Sequence, residues 1–119
     1  MGISLSKNKF KGDSGEHAAE GYLAAKGFVI LERNYKRSGG EIDLIAEDGE
    51  YTVFIEVKYR KTLAMGYPRE AVTKGKQSSL RRAANFYITE NQLDKDMRFD
   101  VVEVLGDVMF EIEHIIDAF

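Results

Sequence analysis

Asp43, Glu56 and Lys58 are residue types that could do chemistry together. Two carboxylates offer hard oxygen ligands of the kind that Mg²⁺ or Mn²⁺ selects. Such a metal can neutralise developing negative charge and supply a hydroxide. An ammonium group beside one carboxylate could orient or activate the attacking water, or stabilise charge on a pentavalent phosphate. Hydrolysis of a phosphodiester uses all of these parts. Residue types alone choose neither among the roles open to Lys58 nor between one metal ion and two.

The stretch that carries them reads as a hairpin. Glu41–Ala46 and Tyr51–Tyr59 are β-rich runs on either side of Glu47-Asp48-Gly49-Glu50, and an Asp-Gly pair between such runs is a strong hairpin signal. With Asp48-Gly49 as a two-residue turn, Asp43 falls opposite Phe54 and Glu41 opposite Glu56. Alternation then projects Asp43, Glu56 and Lys58 from one face, the two carboxylates being diagonal neighbours with Cα atoms ~7–8 Å apart. Glu41 shares that face, as a metal ligand or as a group supporting one. Ile42, Leu44, Val53, Ile55 and Val57 line the other face. A bland reading makes Glu56 or Asp43 one half of an ion pair with Lys58 on an exposed face, a nearly neutral arrangement. Against it, Val53-Phe54-Ile55-Glu56-Val57 is apolar on both sides, as a central strand is. Charges on a covered strand need pairing or a metal.

The elements that hold this hairpin follow from punctuation and period. Residues 1–12 read as a mobile basic arm. A helix begins after Asp13 or Ser14, either of which can cap it, and ends at Lys26 with Gly27 as its C-terminal cap. Phe28–Tyr35 is a strand, Ser38-Gly39-Gly40 a turn and Leu63–Pro68 a loop. Glu70–Glu90 is a helix with an apolar stripe of Val72, Leu80, Ala83, Ala84, Tyr87 and Ile88. Arg98–Leu105 and Val108–His114 form a last hairpin around Gly106-Asp107. The order α-β-β-β-α-β-β predicts one α/β domain over residues 1–119, a mixed sheet flanked by helices.

Composition bounds the function. The 119 residues contain no cysteine, which excludes disulfides, thiolate chemistry and Cys-ligated zinc. No apolar run approaches the ~20 residues needed to cross a bilayer, and the N-terminus lacks a secretory pattern, so the expected address is the cytoplasm. The net charge is −3, but it is unevenly spread. Residues 58–89 carry a net +7 and residues 90–119 a net −7. A local basic block matters more to phosphate binding than the whole-chain charge. Arg60, Lys61, Lys74, Lys76 and Arg81 are therefore the candidate contacts to nucleic acid, and a solvated helix face is the plain alternative. His17 and His114 are too few and too far apart for a histidine metal site and read as ordinary surface or interface residues, and Tyr59 and Tyr67 suit packing better than base stacking.

Asp43…Glu56-Val57-Lys58 also matches the D-(x)n-E-x-K signature of the restriction-endonuclease-like superfamily. More closely, the chain resembles the YraN-like family of small bacterial predicted endonucleases, related to archaeal Holliday-junction resolvases. The matching segments are Gly15-Glu16-His17-Ala18-Ala19, Asn34-Tyr35, Gly40–Ile45, Phe54–Arg60, Lys76-Gln77 and Arg98–Val102. The resemblance implies an α-β-β-β-α-β core, a Mg²⁺- or Mn²⁺-dependent endonuclease activity, Glu16 as a further metal-site acid and Gln77 as support to the active site. From the residues alone Glu16 is equally a helix N-terminal acid, and Glu20 competes with it. Ile42 stands where many restriction enzymes have proline, which is not a ligand.

Two rival readings remain. A nucleotidyltransferase likeness in Gly39-Gly40-Glu41-Ile42-Asp43 leaves no room for the helix those enzymes place between glycines and acids. A non-catalytic DNA-binding or assembly module on a nuclease fold would have no physical need to keep Asp43, Glu56 and Lys58 together. So small a domain has little surface for reading bases, so branched, nicked or single-stranded DNA is the expected substrate. Cutting both strands of a junction would need a symmetric dimer.

Overall fold

The computed structural model describes residues 7–60, 72–106 and 108–119, with side chains from residue 14 on. Its elements are α1 (Lys7–Ala25), β1 (Val29–Arg37), β2 (Gly40–Asp48), β3 (Tyr51–Arg60), α2 (Lys74–Glu90), β4 (Asp96–Leu105) and β5 (Glu111–Ile115). The five strands form one sheet in chain order, β1-β2-β3-β4-β5. All neighbours are antiparallel except β3 and β4, which run parallel from Tyr51–Asp96 to Arg60–Leu105. Parallel neighbours need a long crossover, and α2 lies in it. The architecture is the α/β class, a mixed sheet with a helix on each face.

Each face closes its own core. Ala19 and Leu23 of α1 pack with Phe28, Leu44, Ala46, Val53, Ile55, Val102 and Val104. Leu80, Ala83, Ala84 and Tyr87 of α2 pack with Tyr35, Ile42, Ile45, Phe54, Phe99 and Val101 on the other side. Val53-Phe54-Ile55-Glu56 is buried without interruption, so β3 is the central strand its composition predicts.

The last strand runs Glu111–Ile115 and first pairs at Leu105–Glu111, so the expected strand Val108–His114 around Gly106-Asp107 starts late. Three further details differ from the sequence expectation. α1 starts at Lys7, ahead of the caps expected at Asp13 or Ser14, so residues 7–12 of the expected arm are its first turns and residues 1–6 lie outside the described residues. A capping residue favours a helix start but does not stop a formed helix from extending backwards, because propagation costs far less than nucleation. α2 starts at Lys74 rather than Glu70, capped by Thr73, whose hydroxyl accepts from Lys76 N–H at 3.2 Å. Val72 is buried against α2 but precedes it. The expected loop Leu63–Pro68 lies outside the described residues.

The third difference is register. Asp48 pairs with Tyr51 and Ile45 with Phe54, so the turn is Gly49-Glu50, two residues along from the predicted pairing. Gly49 has φ 59° and Glu50 is not in the positive-φ region, which puts glycine at the first central position as a II′ turn demands. One glycine can serve as the second residue of a I′ turn or the first of a II′ turn, and the Asp-Gly signal does not separate the two. A shift of two residues leaves every side chain on its face. The β1–β2 hairpin, by contrast, turns on Ser38 (φ 55°) and Gly39 (φ 79°), both positive as a I′ turn requires.

Candidate functional site

Regular alternation fails where the candidate site lies. Arg33 pairs with Leu44 and Tyr35 with Ile42, which sets Asn34 across from Asp43. Arg33 bonds Glu20 of α1, and Leu44 packs in the α1 core. Tyr35 and Ile42 pack in the α2 core, and the Tyr35 hydroxyl donates to Glu90 of α2 at 2.6 Å. Both strands therefore change face across the Asn34–Asp43 step. Ile42, expected beside Leu44, belongs to the opposite core for this reason. Asn34 has φ 53°, a left-handed conformation that breaks the pleat.

The roll changes where Asp43 points. The β2–β3 pairing ends at Leu44–Ile55, and one step beyond it Asp43 Oδ2 accepts the Val57 N–H at 2.8 Å. The carboxylate thus reaches toward β3 instead of standing on either face. Burial, then the charge of Glu56, push its pKa up to about 7 against the lowering effect of the Val57 N–H, and Glu16 and Glu41 add to the rise. Acids from α1 (Glu16), β2 (Glu41) and β3 (Glu56) all act on this one carboxylate.

Glu56 and Lys58 share the α2 face of β3, as alternation predicts. Glu56 is 4 % exposed. Its Oε2 lies 3.2 Å from Lys58 Nζ and 3.3 Å from Lys76 Nζ, the latter from the first turn of α2. The ion pair considered as a bland reading is present, but on a buried carboxylate and with two lysines. Removing one partner from a buried charge leaves the other uncompensated, so the second lysine is electrostatically costed into the fold.

Among the described residues, no three acidic or histidine side chains are gathered closely enough to hold a metal ion as they stand. The donors are nonetheless of the right chemistry. Asp43 is crowded by other acids, and Glu56 already draws two ammonium groups to its carboxylate. Glu16 is half-buried and lines a cleft of about 180 Å³ with His17, Glu20, Arg33, Asn34 and Leu44. Glu20, its competitor, is committed to Arg33 through two hydrogen bonds. Glu41 is exposed.

The remaining predicted residues divide. Gln77 donates from Nε2 to the Val72 carbonyl at 3.1 Å and so ties the chain entering α2 to its first turn. Lys74 and Lys76 are exposed on that turn, and Arg81 is exposed with its guanidinium 4.9 Å from the Phe99 ring and 5.5 Å from that of Phe119. Arg60 is not offered to solvent. Its Nε is 2.9 Å from Glu103 Oε2, and its side chain is only 10 % exposed, because a carboxylate buried on β4 requires a counter-charge beside it. Lys61 and Tyr67 lie outside the described residues. Tyr59 is a packing residue, its hydroxyl donating to Gly106 O at 2.8 Å.

His114 is no surface residue. Its side chain is 1 % exposed, and Nε2 stands 2.7 Å from Asp100 Oδ2, while Nδ1 receives Lys26 Nζ at 2.8 Å. A charged lysine can only donate, so Nδ1 accepts and Nε2 carries the proton. Arg98 grips the same carboxylate with two bonds of 2.9 Å, and Asp117 N–H adds a fourth at 3.0 Å. This satisfied cluster anchors the C-terminal segment and lies apart from Asp43.

Sequence reasoning missed two participants, Asn34 and the contact of Lys76 with Glu56. Asparagine is a poor strand former that tolerates left-handed geometry, and its position inside a β-rich run was the available signal for the first. Lys76 lies far from Glu56 in sequence and carried no such mark.

Residues 15–104 match the uncharacterised protein family UPF0102. A UPF0102 protein of Chlorobium limicola is 47% identical over 116 residues, covering 91% of this chain and 90% of that one. One of Clostridioides difficile is 44% identical over 113 residues, covering 94% and 98%. One of Carboxydothermus hydrogenoformans is 50% identical over 82 residues, covering 69% and 70%.

Proposed function

This chain belongs to the UPF0102 family, and from the arrangement around Asp43 we propose that it is a Mg²⁺- or Mn²⁺-dependent endonuclease hydrolysing DNA phosphodiester bonds. The observation that carries this reading is the in-plane carboxylate of Asp43, crowded by Glu56, Glu16 and Glu41 and held near neutrality in pKa. A fold does not bury and crowd an acid without stabilising it elsewhere, and such perturbed groups concentrate at functional sites. Asp43, Glu56 and Glu16 would hold the metal, with Glu41 at its margin. The metal would supply Lewis acidity and an activated water.

This chain's own groups divide the other tasks. Lys58 and Lys76, which both stand beside Glu56, would present two ammonium groups to a phosphate. Gln77 holds the entry to α2 so that Lys76 stays within reach of β3. Lys74 and Arg81 extend basic charge along α2, suited to tracking a sugar-phosphate backbone. Contacts of that kind fix position without reading sequence, which favours branched or otherwise non-standard DNA as substrate. Cutting both strands of a junction would call for a homodimer; full cleavage by a species that light scattering shows to be monomeric would dispose of that part.

One observation favours a non-catalytic DNA-binding module: the Glu56 charge is already balanced by two lysines. Calorimetry separates the readings. Mn²⁺ and Mg²⁺ are titrated into the wild type and into Asp43→Ala and Glu56→Ala. Binding by the wild type and loss in both variants supports the enzyme, with DNA substrates of different shapes screened next. Silence in all three, with and without DNA, leaves the binding module ahead.

A further inference from the structure

Asn34 is the only described positive-φ residue that lies within a strand rather than at a turn or an element's end, apart from glycines. Its neighbours point to opposite layers, Arg33 to Glu20 on α1 and Tyr35 to Glu90 on α2. Its partner across the β1–β2 step is Asp43, whose own neighbours Ile42 and Leu44 split between the two cores in the same way. Neither strand could make this turn alone, because paired strands must roll together to keep their hydrogen bonds. The same residue lines the cleft that contains Glu16.

We infer that Asn34 is a positioning residue: its left-handed backbone rolls β1 and β2 together and so turns the Asp43 carboxylate out of the sheet's faces toward Val57, between Glu16 of one layer and Glu56 of the other. In a regular strand Asp43 would stand on one face, and an acid from the far face could not act with it. Asparagine suits the position because it enters the left-handed region more readily than other residues with a β-carbon. The role lies in the backbone, so the identity of the side chain matters through its conformational preference.

That distinction sets the experiment. Asn34→Gly removes the amide but leaves left-handed geometry freely accessible. Asn34→Ala keeps a β-carbon and disfavours that geometry. Two properties are read on both variants and the wild type, with unfolding midpoints recorded alongside. One is hydrogen exchange of the Val57 amide by NMR, which reports its bond to Asp43 without any metal. The other is Mn²⁺ affinity by calorimetry, which rests on the reading of Asp43 as a metal ligand.

In Asn34→Gly both properties stay within about twofold of the wild type. In Asn34→Ala the Val57 amide exchanges faster and Mn²⁺ binding weakens by roughly five- to thirtyfold, the factor a left-handed penalty implies. Equality of Asn34→Ala with the wild type in Val57 exchange overturns the inference. So does failure of Asn34→Gly alongside Asn34→Ala, which would assign the role to the amide group. Should the wild type bind no Mn²⁺, the Val57 exchange still decides the positioning role, and only the metal reading falls.

Discussion

Replacing the central acid should make the protein more stable. Asp43→Asn keeps the size of the side chain and an oxygen that can accept the Val57 N–H, but it removes a charge whose pKa is raised from 3.8 to about 7 by burial and by Glu56. A rise of about three pH units corresponds to roughly 4 kcal/mol of destabilisation once the group is fully ionised in both states. The buried amide retains a desolvation cost of its own, so the net gain at pH 8 without metal is about 1–3 kcal/mol. The sign follows from proton binding. The folded protein holds this proton more tightly than the unfolded chain, so the contribution of Asp43 is fully present below about pH 4 and is lost as pH rises through 7. Thermal unfolding with a chelator present, at pH 4 and pH 8, reads both arms. The two proteins should unfold together at pH 4, and the variant should unfold several degrees higher at pH 8. Parallel pH slopes, or a variant that is less stable at pH 8, would refute the account of Asp43 as a charge held against its own interest. Saturating Mn²⁺ should then restore the wild type at pH 8 and leave the variant unmoved.

Three further perturbations test other parts of the structure. In Gly40→Ala the new β-carbon would stand 2.4 Å from the Ser79 carbonyl oxygen, a backbone atom that can move only with α2; a loss of about 1–3 kcal/mol is expected in urea unfolding, and wild-type stability would disprove that close approach. Burial alone would raise Asp100, but bonds from His114, Arg98 and Asp117 N–H with the Arg98 charge hold it low. Its contribution is present above the usual carboxylate range and lost as pH falls below about 4, so Asp100→Asn should cost on the order of 3 kcal/mol at pH 7 and much less at pH 3. Lys76→Gln removes one of the two cations on Glu56, so calorimetry should show Mn²⁺ binding a few-fold tighter than in the wild type; weaker binding would mean that Lys76 supports the metal instead of opposing it.

The elements were legible because each is written in local terms. Val53-Phe54-Ile55-Glu56-Val57 declared a central strand, and the Leu80–Tyr87 stripe declared a helix facing a sheet. The shared face of Glu56 and Lys58 came from period two alone and survived a register shift of two residues. Asp43 was named but wrongly aimed, because period two assumes an unbroken pleat and the break is set by the conformation of Asn34 on a neighbouring strand. The burial of Arg60 and His114 was invisible for a related reason. Each is held by a carboxylate on β4, Glu103 or Asp100, more than ten residues away in the chain. Sequence shows a charge; only the fold shows which partner has claimed it.

Among the described residues β1 and β5 are the outer strands of the sheet, and β5 is the shorter of the two at five residues. An outer strand exposes unpaired amides and carbonyls, an invitation to another copy to continue the sheet and begin an aggregate. On β5 the exposed positions within the first three residues are both glutamates, Glu111 and Glu113, with Glu113 already paired against Glu103. A second copy docking antiparallel on this edge would bring like charges onto facing rungs, which is repulsive. Part of the acidic excess of the last thirty residues thereby acts as a guard on the sheet's open border.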